Sequence, residues 1–158
     1  MKTATKSVTV PRTSGTLAEL TQNYGPYLAL VVALTAMLGS LYYSEIVGFI
    51  PCTLCWYQRV LMYPLNFIII VGILKRDEYL PLYVLPMSVI GLLMSGYHYS
   101  LQLGLLPDTG CTIVSCSARY VNYFGFITIP AMALTAFILI TVIMAAVKWS
   151  YSQLEPEA

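Results

Sequence analysis

The sequence predicts an all-α integral membrane protein, a four-helix bundle with both termini in the cytoplasm, and three observations carry that reading. First, 58% of the residues are hydrophobic and only 9% charged, with a mean hydropathy of +0.75. A soluble domain carries roughly 25% charged residues, so this chain lacks the polar surface to stay in water. Second, the few charges bound four apolar stretches, each longer than the roughly 20 residues that cross about 30 Å of hydrocarbon as a helix. Third, Lys and Arg are unevenly placed. Four spans put Lys2, Lys6, Arg12, Lys75, Arg76 and Lys148 on one side and leave Arg59 and Arg119 on the other. Basic residues accumulate on the cytoplasmic side, which sets the orientation. A net charge of +1 offers nothing to attract nucleic acid.

Taken in order, residues 1–23 form a polar, mobile tail, and Thr16-Leu17-Ala18-Glu19 matches a capping box for a short interfacial helix. Span one is placed at 25–44, within 25 residues free of Asp, Glu, Lys and Arg between Glu19 and Glu45. It lies too far into the chain, and ends without a small-residue cleavage site, to be a signal peptide. Span two covers 55–74, with Arg59 its only charge. Span three covers 80–102, with His98 its only ionisable group besides tyrosines, and span four covers 124–147. Backbone groups in lipid must be satisfied within the segment, and these runs are continuously apolar rather than alternating, so helices are expected and strands are not. One membrane domain over 24–149 results, followed by a polar tail at 150–158 behind the interfacial anchors Trp149 and Tyr151. Gly39, Gly91, Gly96 and Gly125 suit close helix packing, and Pro64, Pro86 and Pro130 suit kinks.

The chemistry-bearing residues are four cysteines in two close pairs at the outer ends of these helices. Cys52 and Cys55 sit in Pro51-Cys52-Thr53-Leu54-Cys55-Trp56-Tyr57-Gln58-Arg59. Pro51 suits the approach to a helix start, which puts the pair in the first turn, where unpaired N–H groups and the helix dipole favour a thiolate. Cys111 and Cys116 lie in the 103–123 loop, and a disulfide between them would close a small, easily strained ring of the labile kind. The predicted orientation places both pairs outside, where disulfides persist. Two sulfur couples at one membrane face can pass electrons between a soluble thiol and an acceptor dissolved in lipid.

Arg59 is one helical turn beyond Cys55, and a cation within a span is a functional expectation by default. It could stabilise the Cys55 thiolate or hydrogen-bond a quinone carbonyl; the plainer alternative is snorkelling to head groups. His98 and Gln102 share a face at i, i+4 near the outer end of span three. Quinone reduction consumes two protons as well as two electrons, and histidine titrates near neutrality; the alternative is an inert polar cap. For the cysteines, the alternatives are packing residues or a structural four-cysteine zinc site, which an oxidising exterior and the lack of a second Cys-X2-Cys disfavour.

The first cysteine segment, with Tyr97-His98-Tyr99-Ser100-Leu101-Gln102 and Gly125-Phe126-Ile127-Thr128-Ile129-Pro130, resembles the DsbB family of membrane disulfide-bond formation proteins, especially the shorter BdbC-type members. Related vitamin K epoxide reductases place the loop pair before the Cys-X2-Cys motif, the opposite order from this chain. The resemblance implies a bacterial plasma-membrane protein-dithiol:quinone oxidoreductase that reoxidises an extracytoplasmic thioredoxin-like partner of DsbA or BdbD type. Its electrons would pass to ubiquinone or menaquinone. Carried over by position, Cys52 and Cys55 are the quinone-side pair, with the Cys55 thiolate beside Arg59, and Cys111 and Cys116 are the pair exchanging with the partner. Arg59, His98 and Gln102 are then the expected quinone-binding residues. The loop cysteines stand closer together than in longer members, which leaves open which of them forms the mixed disulfide. A thiol reductant carrying electrons outward remains the rival function, though it would need an electron source on the inner side, where no cysteine is expected.

Overall fold

The computed structural model describes residues 12–107, 115–117, 120–121 and 126–154. Four helices account for most of them: α1 (Arg12–Leu41), α2 (Thr53–Lys75), α3 (Leu80–Gln102) and α4 (Ile129–Leu154), with a π-helical turn over Tyr42–Ile46 extending α1. All four are long and apolar enough to cross a membrane.

Three boundaries differ clearly from the sequence expectation, one of them the end of α4, which reaches Leu154 rather than 147 and takes in the start of the expected polar tail. Helix α1 begins at Arg12, so residues 12–23 are helical and continuous with span one, with no separate interfacial helix starting at Thr16. Extending a helix is cheaper than nucleating a second one. Helix α4 begins at Ile129 rather than 124. Pro130 therefore falls in its first turn, where the missing N–H costs nothing, and it opens the helix instead of kinking it. Between α2 and α3 the chain reverses over four residues; Arg76 takes a left-handed conformation (φ 51°), and its N–H bonds back to Gly72 and Ile73.

The helices pack in a ring, each against its sequence neighbour and α4 closing on α1. Leu65, Ile69, Val84, Phe137, Ile140 and Met144 form the fully buried centre. Leu28, Val60, Phe67, Leu74, Leu93 and Val142 are more than half exposed, an outer surface suited to lipid rather than water. Because lipid gives no hydrophobic drive for helices to associate, small residues and interhelical hydrogen bonds set the contacts. Ala29 and Ala33 of α1 are fully buried, and Thr141 Oγ1 donates to Ser88 Oγ across the α3–α4 interface at 3.0 Å.

Gly91 lies directly beneath the Phe137 ring, and a Cβ there would collide with it. Gly96 has only a Leu134 methyl at 4.0 Å, and a Cβ on Gly39 would meet nothing within 4 Å. Of the glycines expected to pack, Gly91 alone is in tight contact among the described residues; Gly125 lies outside them. Gly91→Leu is expected to destabilise by about 1–3 kcal/mol, the usual cost of overpacking, read as a lower melting temperature in detergent. Gly96→Leu should shift it less; equal shifts would refute the α3–α4 contact.

Candidate active site

The residue preceding α2 is Cys52, held extended (φ −69°, ψ 170°) as the helix N-cap, with its sulfur accepting the Cys55 backbone N–H at 3.4 Å. Sulfur here does what Ser or Asp does at other helix starts, so the stabilisation of negative charge expected for the pair is directed at Cys52. Cys52 is buried, Cys55 partly so, and both are free thiols. Their sulfurs are 3.0 Å apart. A hydrogen bond from the Cys55 thiol, working against burial and assisted by His98 and the Cys55 N–H, holds the Cys52 thiol well below its ordinary range.

His98, in the last turn of α3 and 1% exposed, ties this pair to the loop. Its Nε2 lies 3.6 Å from Cys52 Sγ and 3.1 Å from the Cys116 carbonyl oxygen. Its Nδ1 is 3.2 Å from the Gln58 side-chain amide nitrogen. With the Gln58 amide donating to Nδ1, the proton sits on Nε2 and is donated to the Cys116 carbonyl; the amide orientation is an assignment that fixes the tautomer. Cys116 is disulfide-bonded, and it packs with Cys52 and Leu101 in one buried cluster against Leu54 and Cys55. Cys111 lies outside the described residues. With Cys116 oxidised, the four cysteines do not form a single four-thiolate metal set.

Two cavities flank the Cys52–Cys55 pair. The small one, about 20 Å³, is lined by Cys52, Cys55, His98 and Gln102 together with loop residues. The large one, about 870 Å³, lies between α1, α2 and α4 and receives Cys55, Gln58 and Arg59 from α2. Val31 and Leu38 on its wall are exposed on the outer surface of the bundle, so it opens sideways toward lipid. Among the described residues, helix α3 contributes nothing to it. Arg59 thus faces the large cavity, whereas His98 and Gln102 face the small one, on the other side of the cysteines. The sequence grouped the three by depth in the membrane, and depth does not determine which side of a helix pair a residue faces.

Arg59 Nη2 donates to the Ser40 carbonyl at 3.0 Å, and its guanidinium lies 5.4 Å from the centre of the Trp56 ring. No carboxylate pairs with it among the described residues, and a guanidinium carries five N–H donors. Donors therefore remain for an acceptor in the cavity. Over the same cavity Tyr43, Phe49 and Tyr120 stack in sequence, with centroids 6.1 Å and 5.1 Å apart, joining the segment between α1 and α2 to the cysteine loop.

Sequence reasoning did not assign Gln58, Ser40 or Phe49 a role. Gln58 had a signal, an uncharged polar residue inside an apolar span, three residues after Cys55. Ser40 acts through its backbone carbonyl, which no residue type announces.

Residues 23–147 match the family model described as disulfide bond formation protein DsbB. A probable disulfide formation protein C of Halalkalibacterium halodurans is 56% identical over 113 residues, covering 70% of this chain and 82% of the relative. Disulfide bond formation protein C of Bacillus subtilis is 51% identical over 132 residues, covering 80% and 94%. A probable disulfide formation protein C 1 of Bacillus cereus is 43% identical over 127 residues, covering 78% and 91%. No solved structure matches the chain.

Proposed function

This chain belongs to the DsbB family of disulfide bond formation proteins, and from that premise we propose that it oxidises an extracytoplasmic thioredoxin-fold dithiol and delivers the electrons to a membrane quinone. Membership, with four apolar helices, makes it a multi-pass membrane oxidoreductase acting on thiols. The partner, the quinone and the orientation with cysteines outside are the proposal; the distribution of Lys and Arg supports the last. One observation carries the reading: Cys52 packs on Cys116 of the loop while Cys55 lines the lipid-open cavity beside Arg59. The pair spans the boundary between two compartments.

The large cavity fits a quinone. Its volume is within the usual range for ligand sites, mostly apolar with a few polar groups, and Arg59 offers unused donors with no carboxylate paired to it among the described residues. Arg59 would hold a carbonyl oxygen, with Cys55 at the cavity wall. A quinone bound there supplies a two-electron oxidant that takes up two protons and leaves as quinol.

The chain's own part is a series of thiolate displacements. The partner's thiolate attacks Cys111, forming a mixed disulfide and releasing the Cys116 thiolate. Cys116 then attacks Cys52, breaking Cys52–Cys55 and releasing the Cys55 thiolate one turn from Arg59. The partner's second thiol resolves the mixed disulfide and leaves oxidised, freeing Cys111. Cys111 attacks Cys116, restoring the loop disulfide and returning Cys52 as a thiolate at the helix N-cap. One partner dithiol has become a disulfide, and Cys52 and Cys55 hold two electrons for the cavity side. His98 positions the Cys116 carbonyl throughout the exchange.

The purified full chain with a soluble quinone analogue should oxidise a reduced thioredoxin-fold protein, consuming one quinone for every two thiols. Thiol loss without quinone consumption, or none at all, would refute the reading.

A further inference from the structure

The Cys52 and Cys55 sulfurs and a ring nitrogen of His98 all lie within 4.8 Å of one another. We propose that the reduced pair and His98 form a binding site for one borderline-soft divalent cation of the zinc type. Zinc binds thiolate sulfur at about 2.3 Å and imidazole nitrogen at about 2.0–2.1 Å, so a tetrahedral site needs S···N of ~3.6 Å and S···S of ~3.8 Å. The Cys52 Sγ–His98 Nε2 distance is already 3.6 Å. The sulfurs, 3.0 Å apart, need to open by about 0.8 Å, within reach of side-chain rotation.

Three further features point to an ion. The cavity of about 20 Å³ at these residues has room for a single small occupant, given that a water requires roughly 10–15 Å³. Two thiolates neutralise a divalent cation, so the loaded site carries no net charge into the protein interior. Gln58 lies 3.2 Å from His98 Nδ1, and turning its amide over presents an oxygen to an Nδ1–H. That is the outer partner a metal-bound histidine ordinarily has.

Binding joins one cation to the Cys52 thiolate and the Cys55 thiol, giving a neutral dithiolate complex and releasing the Cys55 proton, with no change of oxidation state. Metal on Nε2 also removes the hydrogen bond to the Cys116 carbonyl, detaching the loop from His98. The oxidised pair has no thiolates and no site. Occupancy therefore blocks the thiol relay; that consequence rests on the function proposed above, whereas binding itself does not.

The test uses the full chain in detergent, with Cys111→Ser and Cys116→Ser so that Cys52 and Cys55 are the only thiols. Anaerobic titration of the reduced protein near neutral pH should show one zinc bound per chain and one proton released, and the oxidised protein should bind none. Cobalt in place of zinc should give tetrahedral visible bands, thiolate charge-transfer absorption and a paramagnetically shifted imidazole N–H. The chain has a single histidine, so that resonance identifies His98 without any substitution there. His98→Ala and Gln58→Ala should each weaken binding at least about 10-fold. Equal binding by the oxidised protein, or a cobalt complex with no shifted imidazole proton, would overturn the site. Stoichiometric zinc on the wild-type chain with unchanged quinone-dependent turnover would count against the relay and leave the site standing.

Discussion

Cys55→Ser is expected to lower quinone-dependent turnover at least about 1,000-fold, on the scale of losing a reacting nucleophile, while trapping a Cys52–Cys116 disulfide. Without Cys55, the Cys52 thiolate has a single disulfide to attack, that of the loop, and Cys116 is the loop cysteine packed against it. The attack breaks the loop disulfide, joins Cys52 to Cys116 and leaves Cys111 as a free thiol. Peptide mapping under non-reducing conditions distinguishes the outcomes. A Cys52–Cys111 linkage would reverse the assigned order of the loop cysteines, and near-normal turnover would remove Cys55 from the electron path.

Arg59→Ala is expected to reduce kcat/KM for quinone by about 100- to 1,000-fold, the usual loss when a preorganised donor to developing negative charge is removed. Exchange between the loop and Cys52 should persist, because Arg59 faces the large cavity and Cys116 lies on the other side of the pair. The measurement pairs steady-state quinone kinetics with quinone-free thiol exchange followed by alkylation and mass. Arg59→Lys should recover part of the activity, since an ammonium keeps the charge but not the planar fork of donors. An unchanged apparent affinity for quinone would make Arg59 a head-group contact. Loss of both reactions together would mean that its bonds to Ser40 and Trp56 serve the fold rather than the cavity.

The spans were legible because the bilayer imposes one requirement on every residue of a crossing segment, and hydropathy records it directly. Helix ends were less so. Whether residues 12–23 join α1 depends on the cost of a second nucleation, and whether Pro130 bends or begins α4 depends on one turn of register. Cys52 and Cys55 were likewise readable as a reactive pair from local chemistry alone: a proline, a helix start and a two-residue gap.

What the sequence determined by itself, then, was the four helices, the cysteine pairs and the cation one turn from Cys55, all consequences of spacing along one chain segment. Only the tertiary structure decided which of those groups face each other. It set His98 against Cys52 and the Cys116 carbonyl, and Arg59 in a different cavity reached from α1, α2 and α4. The reason is geometric: a residue's depth follows from its place in the chain, but the neighbour it meets depends on how each helix is rotated. That rotation is set by contacts such as Gly91 under Phe137 and Thr141 on Ser88, between residues remote in sequence.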